Sequence, residues 1–207
     1  ITKEQYIEMR DSGLVEFIGH SAKDYTQIPL EEVEQDLLQT KLWLLENGGN
    51  PDHFVVAYGK DNPEVKELIK KYYKTNFKTF TSGYVLTPPL NMYSIRRIEF
   101  ESSTTTIKNA MEQAVSMNGL LIINTHANYT TFTQEKFREL ILYAQSIGME
   151  ITTAGKAIEH FGNLVEGDSE PNNFQTYSGI DANGLPFGLL DGKYYEIDPT
   201  FIKFDTP

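Results

Sequence analysis

The sequence predicts an α/β fold built on a parallel sheet or barrel, on three observations. Short β-favouring runs alternate with amphipathic helical stripes from Leu14 to Phe161, the pattern of successive βα units. The run Leu120-Leu121-Ile122-Ile123 is the most apolar in the chain, as expected of a strand covered by helices on both faces. Two of the runs lead into a histidine, His20 and His126, and a third leads into Tyr58-Gly59. Chemistry-bearing residues therefore fall at the carboxyl ends of strands, where open α/β sheets bind their ligands.

In chain order, Thr2-Lys3-Glu4-Gln5 has the spacing of a capping box and opens a short helix that stops before Ser12-Gly13. Leu14, Val15, Phe17 and Ile18 then read as the first strand, closed by Gly19. Pro29 marks the first turn of a long helix whose Leu30, Val33, Leu37, Leu38, Leu44 and Leu45 share one face, ended by Asn47-Gly48-Gly49. Trp43 lies beside that stripe as a core or helix-edge residue. His53–Tyr58 reads as the second strand, and Asn62-Pro63 caps a helix carrying Val65, Leu68, Ile69 and Tyr72. Asn76–Thr81 and Ser94–Glu101 are expected as the third and fourth strands. A helix from Thr106 to Met117 leads to the apolar Leu120–Ile123 strand. Thr133 caps a helix with the stripe Phe137, Leu140, Ile141, Ala144 and Ile147. Met149–Thr152 is expected as a last short strand and Ala154–Phe161 as a last helix, stopped by Gly162-Asn163. Beyond it the character changes: 164–173 reads as a polar linker, and 174–207 as a β-rich appendix or the start of a further module. Its turn signals are Asp181-Ala182-Asn183-Gly184 and Asp191-Gly192-Lys193.

A chain of 207 residues is long enough for one domain of ordinary size with a proper core. Its net charge of -11 opposes a nucleic-acid partner or an anionic membrane surface, and suits a neutral or cationic ligand. There is no cysteine, so any metal must be held by His, Asp, Glu or carbonyl oxygen. No apolar run approaches the roughly 20 residues of a membrane span. The chain opens on Ile1 rather than Met, as expected of a processed or truncated chain; any signal peptide would belong to the part before Ile1, which leaves localisation open at this point.

His20 and Asp24 are the first candidate site. Imidazole and carboxylate both bind zinc and related ions, and this pair converges on one ion if the intervening residues make one helical turn. The alternative is a histidine that caps a strand and an aspartate that caps the next turn. His53 at a strand start and His160 near a helix end read as structural.

Taken together, these strand ends resemble the polysaccharide deacetylase family, carbohydrate esterase family four. The family's metal motif is His-Ser/Thr-x-x-His after a strand ending in Gly or Ser; Gly19-His20-Ser21-Ala22-Lys23-Asp24 matches it except that Asp24 stands for the second histidine. Of the family's Arg-x-Pro-Tyr-Gly, the segment Val55-Val56-Ala57-Tyr58-Gly59 keeps the Tyr-Gly. The Leu-x-Ile-x-x-x-His motif is intact as Leu120, Ile122 and His126, and Arg97 resembles the arginine on the strand before it. The resemblance implies a distorted (β/α) barrel over residues 1–163. Over these residues, that barrel is incomplete at its N-terminus: the family's Asp-Asp strand end would lie upstream of Ile1, either on preceding residues of a longer chain or lost from a fragment.

The activity so implied is metal-dependent hydrolytic deacetylation of an N-acetylated polysaccharide, of cell-wall glycan or peptidoglycan type. One divalent ion, zinc by preference and cobalt or nickel otherwise, would be held by His20 and Asp24 and would activate water and polarise the acetamide carbonyl. His126 would be the general acid that protonates the leaving amine, and Tyr58 and Arg97 would face the substrate, the Tyr58 N–H as an oxyanion donor. Loss of the family's arginine and proline at Val55 and Ala57 points to the alternative, a catalytically degenerate domain serving as a glycan-binding or structural module, for example in a phage tail or cell-surface protein. Either reading implies an extracellular, cell-surface or virion location.

Overall fold

The computed structural model describes residues 1–162 and the strands 176–180, 186–190 and 193–196. Their internal contacts group them into two compact units, residues 1–76 with 168–207, and residues 77–167.

In the first unit, α1 (Lys3–Asp11) opens with the expected capping box, in which Thr2 and Gln5 satisfy each other's backbone N–H. The long α2 (Leu30–Asn47) begins after Pro29 and ends at Gly48, whose left-handed conformation closes the helix without Cβ strain. Val33, Leu37, Leu38 and Leu44 of its apolar stripe are buried, whereas Leu30 is exposed. Trp43 is half-buried and meets Tyr6 edge-on at 5.3 Å. β1 (Gly19–His20) pairs in parallel with β2 (His53–Val55), through Gly19↔Phe54 and His20↔Val55. After β2 come a 3-10 turn at Ala57–Gly59 and α3 (Pro63–Tyr72), capped by the Asn62 side chain. Phe54 is fully buried, with Tyr25 stacked at 6.0 Å and Tyr73 at 4.9 Å. β1 approaches this ring so closely that a Cβ on Gly19 would stand 2.8 Å from Phe54 Cδ2 and 3.0 Å from Tyr73.

The first strand is shorter than the sequence predicts. Continuing the β1–β2 register upstream would set Phe17 opposite Asp52 and Glu16 opposite Pro51, where the partner chain is turning and Pro51 has no N–H. The Phe17 carbonyl instead accepts from Asn50 N at 2.7 Å, and Leu14 is 84% exposed.

β3 (Thr75–Thr79) begins in the first unit and ends in the second, where it pairs in parallel with β4 (Ile95–Glu99), and β4 pairs with β5 (Ile123–Asn124). α4 (Thr104–Ser116) and α5 (Gln134–Ser146) follow β4 and β5. Ile98 and Phe100 pack with Ile107, Ala110, Met111, Leu140 and Ala144 of those helices into one core. α6 (Ala154–Gly162) closes the described part of this unit.

Two expectations are corrected here. The Leu120–Ile123 run is not a strand buried on both faces: only Ile123 and Asn124 join the ladder, and Leu121 to Ile123 are half-buried. Leu120 is drawn away by an antiparallel bridge to Leu86, and among the described residues β5 stands last in the strand order, with a single neighbour. Nor is Met149–Thr152 a strand: Met149 N returns to Ala144 O at 2.9 Å to finish α5, and Ile151 is 54% exposed.

The strand order β1-β2-β3-β4-β5 follows the chain. A doubly wound sheet reverses direction at a switch point, whereas right-handed crossovers that always advance the same way are those of a (β/α) barrel. The α/β fold, with six helices among the described residues, is thus compatible with an incomplete barrel. β6 (Thr176–Ile180), β7 (Pro186–Leu190) and β8 (Lys193–Glu196) form a separate antiparallel sheet. The expected linker 164–173 and the turn signals after Ile180 and Leu190 lie outside the described residues.

Candidate functional site

In the first unit, the carboxyl ends of β1 and β2 bring His20, Asp24 and Tyr58 into one neighbourhood. His20 is exposed, and its Nδ1 lies 2.7 Å from the Val55 carbonyl oxygen across the β1–β2 pair. A carbonyl only accepts, so Nδ1 carries the proton and, in the neutral ring, the Nε2 lone pair is left free. The next residues turn inward. Ser21 is buried, its Oγ accepts from Lys23 N at 3.2 Å, and Tyr25 is 1% exposed. The Tyr25 hydroxyl donates to Asp36 Oδ2 at 2.6 Å while Lys23 Nζ holds Asp36 Oδ1 at 3.0 Å, so the buried carboxylate is paired. Burial, and then the bond to Asp36, push the Tyr25 hydroxyl far above its usual range.

Between His20 and Asp24 the chain bends without making a helical turn. Asp24 instead caps the turn that follows: its Oδ1 accepts from Thr26 N at 3.1 Å and Thr26 Oγ1 at 2.6 Å, and Gln27 N bonds to its carbonyl at 3.0 Å. Its Oδ2 is held by Lys60 Nζ at 3.1 Å. The Thr26 hydroxyl and then Lys60 hold this carboxyl below its usual range.

Tyr58 sits in the left-handed region (φ 56°, ψ 8°) inside the 3-10 turn, followed by Gly59 at φ 65°. A bulky residue there marks a constrained backbone of the kind that clusters at functional sites. Its ring is 70% exposed, its hydroxyl reaches the Ala22 carbonyl at 3.4 Å, and Lys60 Nζ stands 5.8 Å from its centroid. The turn is braced from below by buried Asn76, whose Oδ1 accepts from Val56 N at 3.3 Å and whose Nδ2 donates to Asp61 at 3.2 Å. Sequence reasoning missed Lys60, although its place directly after Tyr58-Gly59 was the available signal.

The second unit carries the remaining candidates. Arg97 of β4 is half-buried; its Nη2 donates to Thr79 Oγ1 at 3.3 Å, and its Nε has no hydrogen-bond partner among the described residues. Burial, opposed by Glu99, brings its guanidinium down to about 10. Asn124 of β5, opposite Glu99, likewise has an unpartnered side-chain oxygen. His126 stands exposed beyond β5 with its ring stacked on Tyr129 at 4.4 Å, and Tyr129 N bonds to the His126 carbonyl at 2.9 Å. Glu101 accepts from Thr125 and Thr131 hydroxyls at 3.4 Å each. His53 is buried against Thr75 Oγ1 at 2.8 Å, and His160 is exposed on α6, edge-on to Phe161.

Among the described residues, no group of three or more His, Asp or Glu side chains is arranged to hold a metal ion. His20 retains a free ring nitrogen, but both carboxylate oxygens of Asp24 are already engaged, one of them by a cation. The helical turn that would bring Asp24 toward His20 is not formed, and Asp24 is held by Thr26 and Lys60 instead. No helix among the described residues is long and apolar enough to cross a membrane. Neither a scan of protein-family models nor a search of curated proteins finds a match to this chain.

Proposed function

We propose that this chain is a glycan-binding domain of the polysaccharide deacetylase type, with residues 1–163 as a barrel-like portion and 174–207 as a small β-rich appendix. Its ligand is a neutral N-acetylated polysaccharide of cell-wall or peptidoglycan type, met at a cell surface or from a phage tail. The observation that carries this reading is Tyr58. A large aromatic ring, 70% exposed at the end of β2 and tethered through its hydroxyl to Ala22, offers a pre-set apolar face on which the C–H face of a sugar stacks. Polar groups on the same two segments, His20 Nε2 and the Lys60–Asp24 pair, are of the kind that hydrogen-bond sugar hydroxyls. A neutral polymer also avoids the repulsion that the chain's charge of -11 imposes on anions.

The test is titration of the full chain with N-acetylglucosamine tetramer and soluble peptidoglycan fragments, followed by chemical-shift changes. Saturable binding that Tyr58→Ala weakens by about tenfold or more is expected. Absence of binding, or binding indifferent to that change, overturns the reading.

A second reading, metal-dependent N-deacetylation with zinc, cobalt or nickel, is favoured by the way His20 is held. Its Nδ1–H on a backbone carbonyl, with Nε2 outward, is how ligating imidazoles are commonly oriented. On this reading Tyr58 lies toward the substrate. Acetate release that requires added zinc, and is lost in His20→Ala, would put it in place of the first.

A further inference from the structure

We infer that Lys60 takes the place of a metal ion at this site: its ammonium, fixed by Asp24 and seated by Tyr58, is the cation against which a neutral ligand's carbonyl or hydroxyl oxygen is held. The site is the one assigned above to glycan binding, and the inference about the cation is testable without any glycan.

The backbone sets the position of Lys60. Tyr58 and Gly59 both take positive φ, and Lys60 N closes the turn on Ala57 O at 3.1 Å. The chain thereby doubles back, and the lysine side chain reaches Asp24. Thr26 supplies two hydrogen bonds to Oδ1, which leaves Oδ2 as the oxygen facing the ammonium at 3.1 Å. A carboxylate so arranged is neutralised by a cation already built into the chain. A divalent ion taking Asp24 as a ligand would have to displace Lys60 or bear its repulsion at close range.

The same arrangement leaves binding capacity outward. An ammonium has three protons; Asp24 takes one, and the Lys60 side chain is 60% exposed, so others are free for a ligand oxygen. The Tyr58 ring, 5.8 Å from Nζ, adds a further attraction for the cation. His20 Nε2, left unengaged by the Nδ1 bond to Val55, is an acceptor for a ligand hydroxyl. Donor, acceptor and aromatic ring thus lie on the two segments 20–24 and 58–60, which the Tyr58–Ala22 and Lys60–Asp24 contacts join; together they suit an uncharged group bearing both C=O and O–H or N–H, such as an acetamido sugar.

Calorimetric titration of the full chain with zinc chloride tests this, with Lys60→Met as the variant, because it removes the charge at an exposed position and keeps the stem. The wild-type chain is expected to bind zinc weakly, and Lys60→Met at least about tenfold more tightly, with that gain abolished when His20→Ala is added. Micromolar zinc binding by the wild-type chain that depends on His20 overturns the inference. So does a Lys60→Met variant that binds zinc no better than wild type. In the second arm, Lys60→Met is expected to weaken binding of N-acetylglucosamine tetramer and Lys60→Arg to preserve it; equal binding by all three removes Lys60 from the ligand site. A wild-type chain that binds no glycan would sink the glycan reading, while the zinc arm still decides whether Lys60 occupies the cation position.

Discussion

Lys41 should make the stability of this fold rise with pH, against the usual trend for an acidic protein. It lies on α2, 4% exposed, with Nζ donating to the Pro51 carbonyl at 2.9 Å and standing 5.4 Å from the Tyr73 ring centroid. Burial brings the amine down from 10.5 to about 8; Asp52 opposes the shift and Lys74 adds to it. Between those two values the unfolded chain binds a proton that the folded chain does not, so stability increases with pH across that window. The cost of charging the buried amine is felt in full below about pH 8. Raising the pH from about 7 to about 9.5 should recover about 2 kcal/mol. Other groups intrude above that range. Burial raises the Tyr25 and Tyr73 hydroxyls strongly and, with Glu34, pushes Tyr72 up to about 12. These retain protons in the fold that the unfolded chain loses, and so they lower stability as pH climbs. The comparison must therefore be made against Lys41→Met, which keeps the tyrosines and removes the amine. Urea denaturation of both proteins at the two pH values should show wild type gaining about 2 kcal/mol relative to the variant. Parallel behaviour of the two proteins would refute the buried-amine account.

Three further outcomes follow from the packing around the site. Gly19→Ala places a methyl 2.8 Å from the fully buried Phe54 ring, and should cost about 1–3 kcal/mol in chemical denaturation. Tyr25→Phe removes one donor from buried Asp36 while Lys23 stays in place; a loss of about 1–3 kcal/mol is expected from the same measurement. His53 is held below its ordinary value by burial. The unfolded chain therefore gains a proton that the fold resists as pH drops below about 6.5, and stability should decline there with a slope that His53→Asn reduces.

Helices were the more legible part of this fold, because their signals are local. Thr2, Asn62 and Thr133 each make the cap that their position predicts, and Gly48 ends α2 in the conformation that glycine permits. Strands depend on a partner that the run itself does not specify. Leu14–Ile18 has the composition of a strand, yet the partner chain turns at Pro51-Asp52 and the ladder stops at Gly19. Leu120 is as apolar as its neighbours, and Leu86 captures it from across a long loop. The site was legible as strand ends and opaque in its pairings. His20, Tyr58 and His126 were visible from sequence because glycine and polar residues punctuate apolar runs. That Asp24 meets Lys60 depends on a turn with two consecutive residues of positive φ, which Tyr58 does not advertise.

Gly19 and His20 also explain why the imidazole serves either functional reading. With no Cβ at residue 19, β1 lies against Phe54 and Tyr73, and this approach sets His20 opposite Val55. The Nδ1–H bond to the Val55 carbonyl follows from that register. The fold therefore orients the ring, and no ligand is needed to do so. A fixed tautomer with Nε2 outward can meet a metal ion or a sugar hydroxyl equally well. What distinguishes the two is the charge next to it. If Lys60 supplies the cation, as inferred above, the imidazole serves as an acceptor; if a metal ion displaces Lys60 from Asp24, it serves as a ligand. Because the two readings differ in the charge at Lys60 and share His20, Lys60→Met in combination with His20→Ala is a sharper probe of this site than either histidine variant alone.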